Sequence, residues 1–166
     1  NMLSDLQDGE KVVSVITSGD FPEDKNVVFC TRNGTVKKTS MDAFKNVRQR
    51  GIKAIKLDEN DELVETQITD GENQVIIATK NGLAVRFDEK EARTMGRDTA
   101  GVRGVRLGEG DCVVSMAVVK DGDMLLTVSE NGYGKISQVD DYRMVHRGGK
   151  GVITIKTTER NGSVVA

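Results

Sequence analysis

The stretch Asn33-Gly-Thr-Val-Lys-Lys-Thr39 returns as Asn81-Gly-Leu-Ala-Val-Arg-Phe87 and again as Asn131-Gly-Tyr-Gly-Lys-Ile-Ser137. Each copy follows an apolar, β-branched run, and the Asn-Gly pairs are spaced by 48 and 50 residues. Asn-Gly between two strand-like runs predicts a hairpin with a two-residue loop, both of whose residues take positive φ. Three hairpins at one period predict a repeat protein.

Other landmarks keep the same step. Leu6, Leu57 and Leu107 each open an acidic turn that runs into an apolar stretch. A glycine followed by an alternating strand appears as Gly51-Ile-Lys-Ala-Ile-Lys56, Gly101-Val-Arg-Gly-Val-Arg106 and Gly151-Val-Ile-Thr-Ile-Lys156. Each unit therefore reads acidic turn, strand, strand, Asn-Gly, strand, basic loop, strand. That makes an all-β chain of about four strands per repeat of roughly 50 residues, as in a propeller blade. The units are expected at 6–56, 57–106 and 107–156, with 157–166 opening a further one, all within a single repeat domain. Period-2 alternation in the strands leaves no window with a sustained 3.6 period. One helical turn fits near Met41–Val47, Asp88–Thr94 and Val139–Val145. The chain begins just before an acidic turn and ends inside the expected fourth unit, which predicts a piece of about three blades from a longer protein.

Net charge is −2, which argues against a uniformly basic nucleic-acid binder. The average hides blocks. Residues 58–75 carry seven acids and no Lys or Arg, whereas 31–57 carry eight bases against Asp42. Residues 76–107 swing back to seven bases against four acids. Equivalent positions of a repeat fall on one side, so acidic and basic faces are expected; an ordinary solvated surface is the alternative. No apolar run approaches the roughly 18 residues of a membrane span. No signal peptide is legible, and Cys30 and Cys112 form no CxxC pattern. Buried, reduced thiols in a cytoplasmic protein are expected.

Catalytic constellations are absent from the sequence. His146 is the only histidine, so no His pair can hold a metal and no triad can form. The acidic run Asp58-Glu-Asn-Asp-Glu62 lacks the glycine and the terminal carboxylate of a calcium loop. Tyr133 and Tyr142 occupy positions that take Thr, Leu or Phe in sister units, which marks them as structural. No cofactor is expected.

The richest segment is Tyr142-Arg-Met-Val-His-Arg-Gly-Gly-Lys-Gly-Val152, followed by no acid before Lys156. Consecutive glycines can turn backbone N–H groups toward phosphate oxygens, flanked here by the charges of Arg147 and Lys150. A tight turn is the alternative use of the same glycines. Sister loops run Phe44-Lys-Asn-Val-Arg-Gln-Arg-Gly51 and Arg93-Thr-Met-Gly-Arg-Asp-Thr-Ala-Gly101. Basic loops repeated on a rigid scaffold would make a ladder of phosphate contacts that bends duplex DNA around one edge. Such a bend costs on the order of 1–6 kcal/mol, so several contacts must offset it. The residues assigned to DNA contact are Arg147, Lys150, Gly148, Gly149, His146, Arg143, Arg97, Arg93, Arg103, Arg48, Arg50, Lys37, Lys38 and Lys135. Without interleaved aromatics, shape and backbone reading is expected rather than base reading.

Taken in order, Asp20-Phe-Pro-Glu-Asp24, Thr35-Val-Lys-Lys-Thr39, Leu57-Asp-Glu-Asn-Asp-Glu-Leu63, Met95-Gly-Arg97 with Gly101-Val-Arg-Gly-Val105, and Glu130-Asn-Gly-Tyr-Gly-Lys135 show that the chain resembles the C-terminal domain of the A subunit of bacterial DNA gyrase. The resemblance implies a β-pinwheel, propeller-like but with hairpins exchanged between neighbouring blades. It implies a non-catalytic module that wraps DNA around a basic perimeter and so supports ATP-dependent negative supercoiling. The implied partners are double-stranded DNA, the remainder of the gyrase A protein, and the gyrase B protein, in the bacterial cytoplasm on the nucleoid. The active-site tyrosine and the ATPase would lie elsewhere. The family's first blade carries a box, Q-R-R-G-G-K-G. Arg147-Gly-Gly-Lys-Gly151 matches its last five positions, while Val145 and His146 depart from the first two. By repeat order this is a box-like copy in a later blade, with the true box expected upstream of Asn1. Two rival readings stand: the equivalent module of topoisomerase IV, which steers substrate choice, and a propeller-type scaffold for protein partners.

Overall fold

The computed structural model describes residues 8–19, 21–46 and 51–166. Ten strands carry the fold: β1 (Asn26–Thr31), β2 (Thr35–Ser40), β3 (Leu63–Thr69), β4 (Gln74–Thr79), β5 (Leu83–Asp88), β6 (Val102–Arg103), β7 (Val113–Val119), β8 (Met124–Val128), β9 (Gly134–Gln138) and β10 (Val152–Ile153). They form two four-stranded sheets, ordered β3-β1-β2-β6 and β10-β5-β4-β7, and a third hairpin, β8-β9. The centre of each large sheet is one hairpin. Its two outer strands are those that flank the next hairpin in sequence. Hairpin β4-β5 thus reaches out from between β3 and β6 into the neighbouring sheet, and β8-β9 does the same from between β7 and β10. This exchange is the β-pinwheel arrangement. Single 3₁₀ turns follow each hairpin at Met41–Phe44, Glu89–Glu91 and Val139–Asp141, where the sequence suggests one helical turn.

The hairpin loops correct the sequence expectation. Thr31, Thr79 and Ser129 carbonyls accept from Gly34, Gly82 and Gly132 amides at 3.0, 3.0 and 2.9 Å. The register places Asn26 opposite Ser40 and Gln74 opposite Asp88, so each loop holds three residues rather than two. Only the glycines take positive φ, at 86°, 80° and 80°; the asparagines do not. A four-residue turn closed by one left-handed glycine satisfies the strand twist with a single special residue. Acids of the next unit complete it: Asp61 Oδ1 accepts from Asn33 N at 2.9 Å and Asp111 Oδ1 from Asn81 N at 3.0 Å. The acidic turn therefore closes the preceding hairpin, a local role for two of the residues in the acidic blocks.

Packing runs in layers. Val28 and Cys30 of β1 join Val75 and Ile77 of β4, with Phe87, Val113 and Met116, between the two large sheets. Val27 and Phe29 point the other way, with Met41 and Ile55. Ile76 of β4 likewise faces away from its neighbours, toward Val139, Tyr142 and Leu125. Successive strand residues point to opposite faces, and in β1 and β4 both faces are covered. Those two strands therefore read as continuous apolar runs, and each fully buried side chain contributes roughly 1.5–3 kcal/mol. Close approach between units needs Gly151: its φ is 80°, and a Cβ there would lie 2.7 Å from the Ala84 carbonyl oxygen.

Candidate nucleic-acid interface

The glycine-rich loop is pinned at both ends. Tyr142 is buried, its hydroxyl hydrogen-bonded to that of Thr154. Val145 N donates to Arg86 O at 2.9 Å, and Arg106 N donates to Gly149 O at 2.9 Å. Gly148 N donates to Gly104 O at 2.7 Å, and Gly149 N to His146 O at 3.1 Å. The amides expected to face phosphate are thus spent inside the protein. This corrects the reading of Gly148 and Gly149 as phosphate donors: these glycines let the loop lie against the strand of the preceding unit. A Cβ on Gly148 would sit 3.8 Å from the Arg103 side chain, so Arg103 lies directly beside the loop.

Arg147 is tied to the preceding unit three times. Its backbone N donates to Glu91 Oε2 at 2.9 Å, its Nε to Glu91 O at 3.2 Å, and an Nη to Arg103 O at 2.6 Å. Arg97 makes the equivalent bond one unit earlier, to Lys53 O at 3.4 Å. These two arginines hold successive loops at one step. They act as fasteners, and much of their donor capacity is used within the protein.

Three lysines assigned to DNA are engaged within the protein. Lys37 is fully buried and donates to Ala54 O at 2.7 Å and to Arg97 O. Burial holds its pKa below the ordinary lysine value, against the opposing charge of Asp98. Lys135 repeats the bond two units later, to Thr154 O at 2.9 Å, though its side chain remains exposed. Lys38 is buried against Glu89, donating to its carbonyl at 2.9 Å and lying 3.3 Å from its carboxylate. Arg86 occupies the same register and donates to Val139 O and Tyr142 O at 3.0 Å each. The physical reason is shared. Each 3₁₀ turn and loop exposes carbonyls toward the preceding hairpin, and a long cationic side chain satisfies them there. Arg48 and Arg50 lie outside the described residues, as does Leu6.

Arg93, Arg103, Arg143 and Lys150 remain exposed, and no side-chain hydrogen bond or ion pair engages them among the described residues. His146 is fully exposed, its Nδ1 3.3 Å from Glu91 Oε1. The structure therefore gathers Arg103, His146, Arg147, Gly148 and Gly149 around Glu91. It leaves Lys37, Lys38 and Lys135 at the junctions between units. Free guanidinium and ammonium groups on a fixed backbone can bind phosphate oxygens by charge-assisted hydrogen bonds. Sequence reasoning missed Glu91, because its partners are 55 and 56 residues away. The faint signal is an acid at position 91 where the first unit has Ala43. Arg86 was also missed, although it shares the register of Lys38.

A family model described as the DNA gyrase C-terminal domain, a β-propeller, matches residues 25–70, 73–120 and 123–166. Each match begins at or just before a hairpin. The DNA gyrase A subunit of Escherichia coli strain K12 is 46% identical over 160 residues, covering 96% of this chain and 18% of that protein. The DNA gyrase A subunit of Haloquadratum walsbyi is 42% identical over 168 residues, covering 98% and 20%. The chain thus spans about a fifth of the length of these relatives. Among solved structures, the DNA gyrase A C-terminal domain matches with a TM-score of 0.86 at 32% identity, covering 96% of this chain and 53% of that one. The C-terminal domain of DNA topoisomerase IV matches with a TM-score of 0.87 at 30% identity, covering 96% and 50%. Exchanged hairpins, a repeated loop fastener and a family match that follows the same three hairpins lead to one assignment: the chain belongs to the DNA gyrase C-terminal domain family.

Proposed function

We propose that this chain is a DNA-binding module of a gyrase A protein, and that it bends duplex DNA along its basic loops to support ATP-dependent negative supercoiling. The observation that carries this reading is the set of exposed, unpartnered cations, Arg93, Arg103, Arg143 and Lys150, on loops that the Arg97 and Arg147 fasteners hold at one step. The family supports it as well. In this reading the chain does no covalent chemistry and takes no cofactor. Its partners are double-stranded DNA, the remainder of the gyrase A protein, and the gyrase B protein, and it works in the cytoplasm on the nucleoid. Recognition is of backbone and shape, since the free groups are point charges and guanidinium forks without aromatic wedges.

A second reading, the module of topoisomerase IV that steers substrate choice, is favoured by one observation: the fold overlays on that enzyme's domain as well as on gyrase's. Curated relatives at 42% and 46% identity are gyrase A proteins, which favours the first. The test is duplex binding by this chain across a salt series, with Arg143→Glu/Lys150→Glu as the variant. Binding should fall steeply with salt and weaken in the variant for all sequences alike. Binding that ignores both salt and the double reversal would sink the proposal and favour a protein-interaction scaffold.

A further inference from the structure

We infer that Glu91 is the positioning residue of the glycine-rich loop: an acid inside a basic surface whose reach, rather than its charge, sets duplex affinity. The inference rests on the DNA-binding reading above. Glu91 closes the 3₁₀ turn Glu89–Glu91, which is fixed from both ends. Asp88 Oδ1 accepts from Lys90 N at 2.8 Å, and Glu89 is buried, accepting from Asn73 N at 2.8 Å and from the Thr69 hydroxyl. From this fixed base the Glu91 carboxylate spans the junction between units. One oxygen takes the Arg147 amide, the other faces His146 Nδ1, and the Glu91 carbonyl takes Arg147 Nε. No other side chain accepts a backbone amide of the segment Arg143–Gly151 among the described residues. The loop's N–H groups are turned inward by these bonds and by Gly104 O, which leaves the Lys150 side chain directed to solvent from a set backbone. The first unit has Ala43 and the third has Asp141 at the equivalent position, so the contact is particular to this junction.

Simple electrostatics gives the opposite expectation. A carboxylate beside phosphates is repulsive, and deleting its charge should tighten binding by about twofold in a solvated setting. Two variants separate the effects. Glu91→Gln removes the charge but keeps an oxygen at the same reach. Glu91→Asp keeps the charge but draws the oxygen back by one methylene. If Glu91 positions the loop, Glu91→Asp weakens duplex binding by roughly 3- to 10-fold, the cost of ordering a freed loop on binding. Glu91→Gln then stays within about twofold of the parent. Hydrogen exchange at the Arg147 amide should quicken in Glu91→Asp and not in Glu91→Gln. A mere effect on overall stability would not produce that pattern. Tighter binding by Glu91→Gln with an unchanged Glu91→Asp overturns the inference, since charge would then be the whole effect. Equal losses in both variants with the Arg147 amide still protected also overturn it. The double reversal Arg143→Glu/Lys150→Glu keeps the two proposals apart. If it abolishes binding while both Glu91 variants behave as the parent, DNA binding stands and the positioning role falls.

Discussion

Replacing Arg86 by methionine tests how the units are held together. The Arg86 side chain is 5% exposed and crosses from β5 to the 3₁₀ turn of the next unit. Its guanidinium satisfies Val139 O and Tyr142 O at 3.0 Å each, and Nε donates to Gln74 Oε1 at 2.7 Å. Methionine keeps much of the stem volume but leaves Tyr142 O without a partner and Val139 O with the Tyr142 amide alone. Each buried, unsatisfied group costs about 1–3 kcal/mol. The ion pairs to Asp121 and Asp140 add little, because those carboxylates are 74% and 50% exposed. The expected loss is about 2–3 kcal/mol, mostly from the Tyr142 carbonyl. Urea denaturation has a built-in local probe: the chain has no Trp, and its two tyrosines, Tyr133 and Tyr142, both lie in the third unit. In a quasi-one-dimensional repeat a weakened junction frees the unit beyond it. Tyrosine emission should therefore change at lower urea than far-UV circular dichroism, with its midpoint displaced by about 1–3 M for an ordinary m-value. A loss under about 1 kcal/mol would refute the claim that Arg86 supports the junction, as that is no more than an average point substitution.

Three further outcomes follow from backbone conformation and burial. Gly151→Ala forces a side chain into positive φ and against the Ala84 backbone, so it should cost at least about 3 kcal/mol by thermal or chemical denaturation. Gly122→Ala, at φ 84° with nothing within 4 Å of the new Cβ, should cost only about 1–2 kcal/mol. Burial first, then the charges of Asp61 and Glu65, push the Cys30 thiol up to about 12 from 9.0. Its folded pKa is raised, so the folded state holds the proton longer than the unfolded one. Its contribution is complete below pH 9 and is lost as pH climbs from 9 toward 12. At about pH 10.5 the loss is roughly 2 kcal/mol relative to a Cys30→Ala variant, in which the opposing shift of Lys37 is unchanged. Equal alkaline sensitivity of the two proteins would rule this out.

Periodicity made the fold legible. The Asn-Gly pairs, the acidic turns and the Gly101 and Gly151 strands marked the units, because each of them serves a junction that recurs, whereas the stretch after Gly51 forms no strand. Loop geometry was less legible. Asn-Gly points equally to a two-residue loop and to a four-residue turn closed by glycine, and only the pairing of Asn26 with Ser40 separates them. The site was legible in its location but not in its roles. A lysine on a hairpin strand reads as a surface charge, yet Lys37 faces Ala54 O of its own unit and Arg97 O of the next, and Lys38 faces Glu89 O of the next. Nothing local in Thr35-Val-Lys-Lys-Thr39 reveals this, since Ala54 lies well downstream and Glu89 and Arg97 belong to the following unit. Glu91 is hidden for the same reason.

Basic residues in this chain divide by whether their partner also recurs. Lys37 and Lys135 bond Ala54 and Thr154, Lys38 and Arg86 bond Glu89 and Val139, and Arg97 and Arg147 bond Lys53 and Arg103. In each pair donor and acceptor advance together, by two units for Lys37 and Lys135 and by one for the others, so these cations belong to the scaffold. Arg93 and Arg143 recur without a recurring partner, and Arg103 and Lys150 are likewise free, which leaves their charge for a ligand. The division has a measurable consequence. Each neutralised phosphate adds about 0.9 to the log–log salt slope on duplex DNA, so four free cations give a slope of about 3.6 in magnitude, rising toward about 5 if exposed Lys53 and Arg106 also engage. Counting all eleven lysines and arginines assigned from the sequence would nearly triple the first figure, to about 10. A slope near that larger value would mean that the fasteners release their carbonyls on binding, and the distinction between scaffold and ligand cations would collapse. A slope between about 3 and 5 would show that the junction cations stay at their posts while the loops hold the DNA.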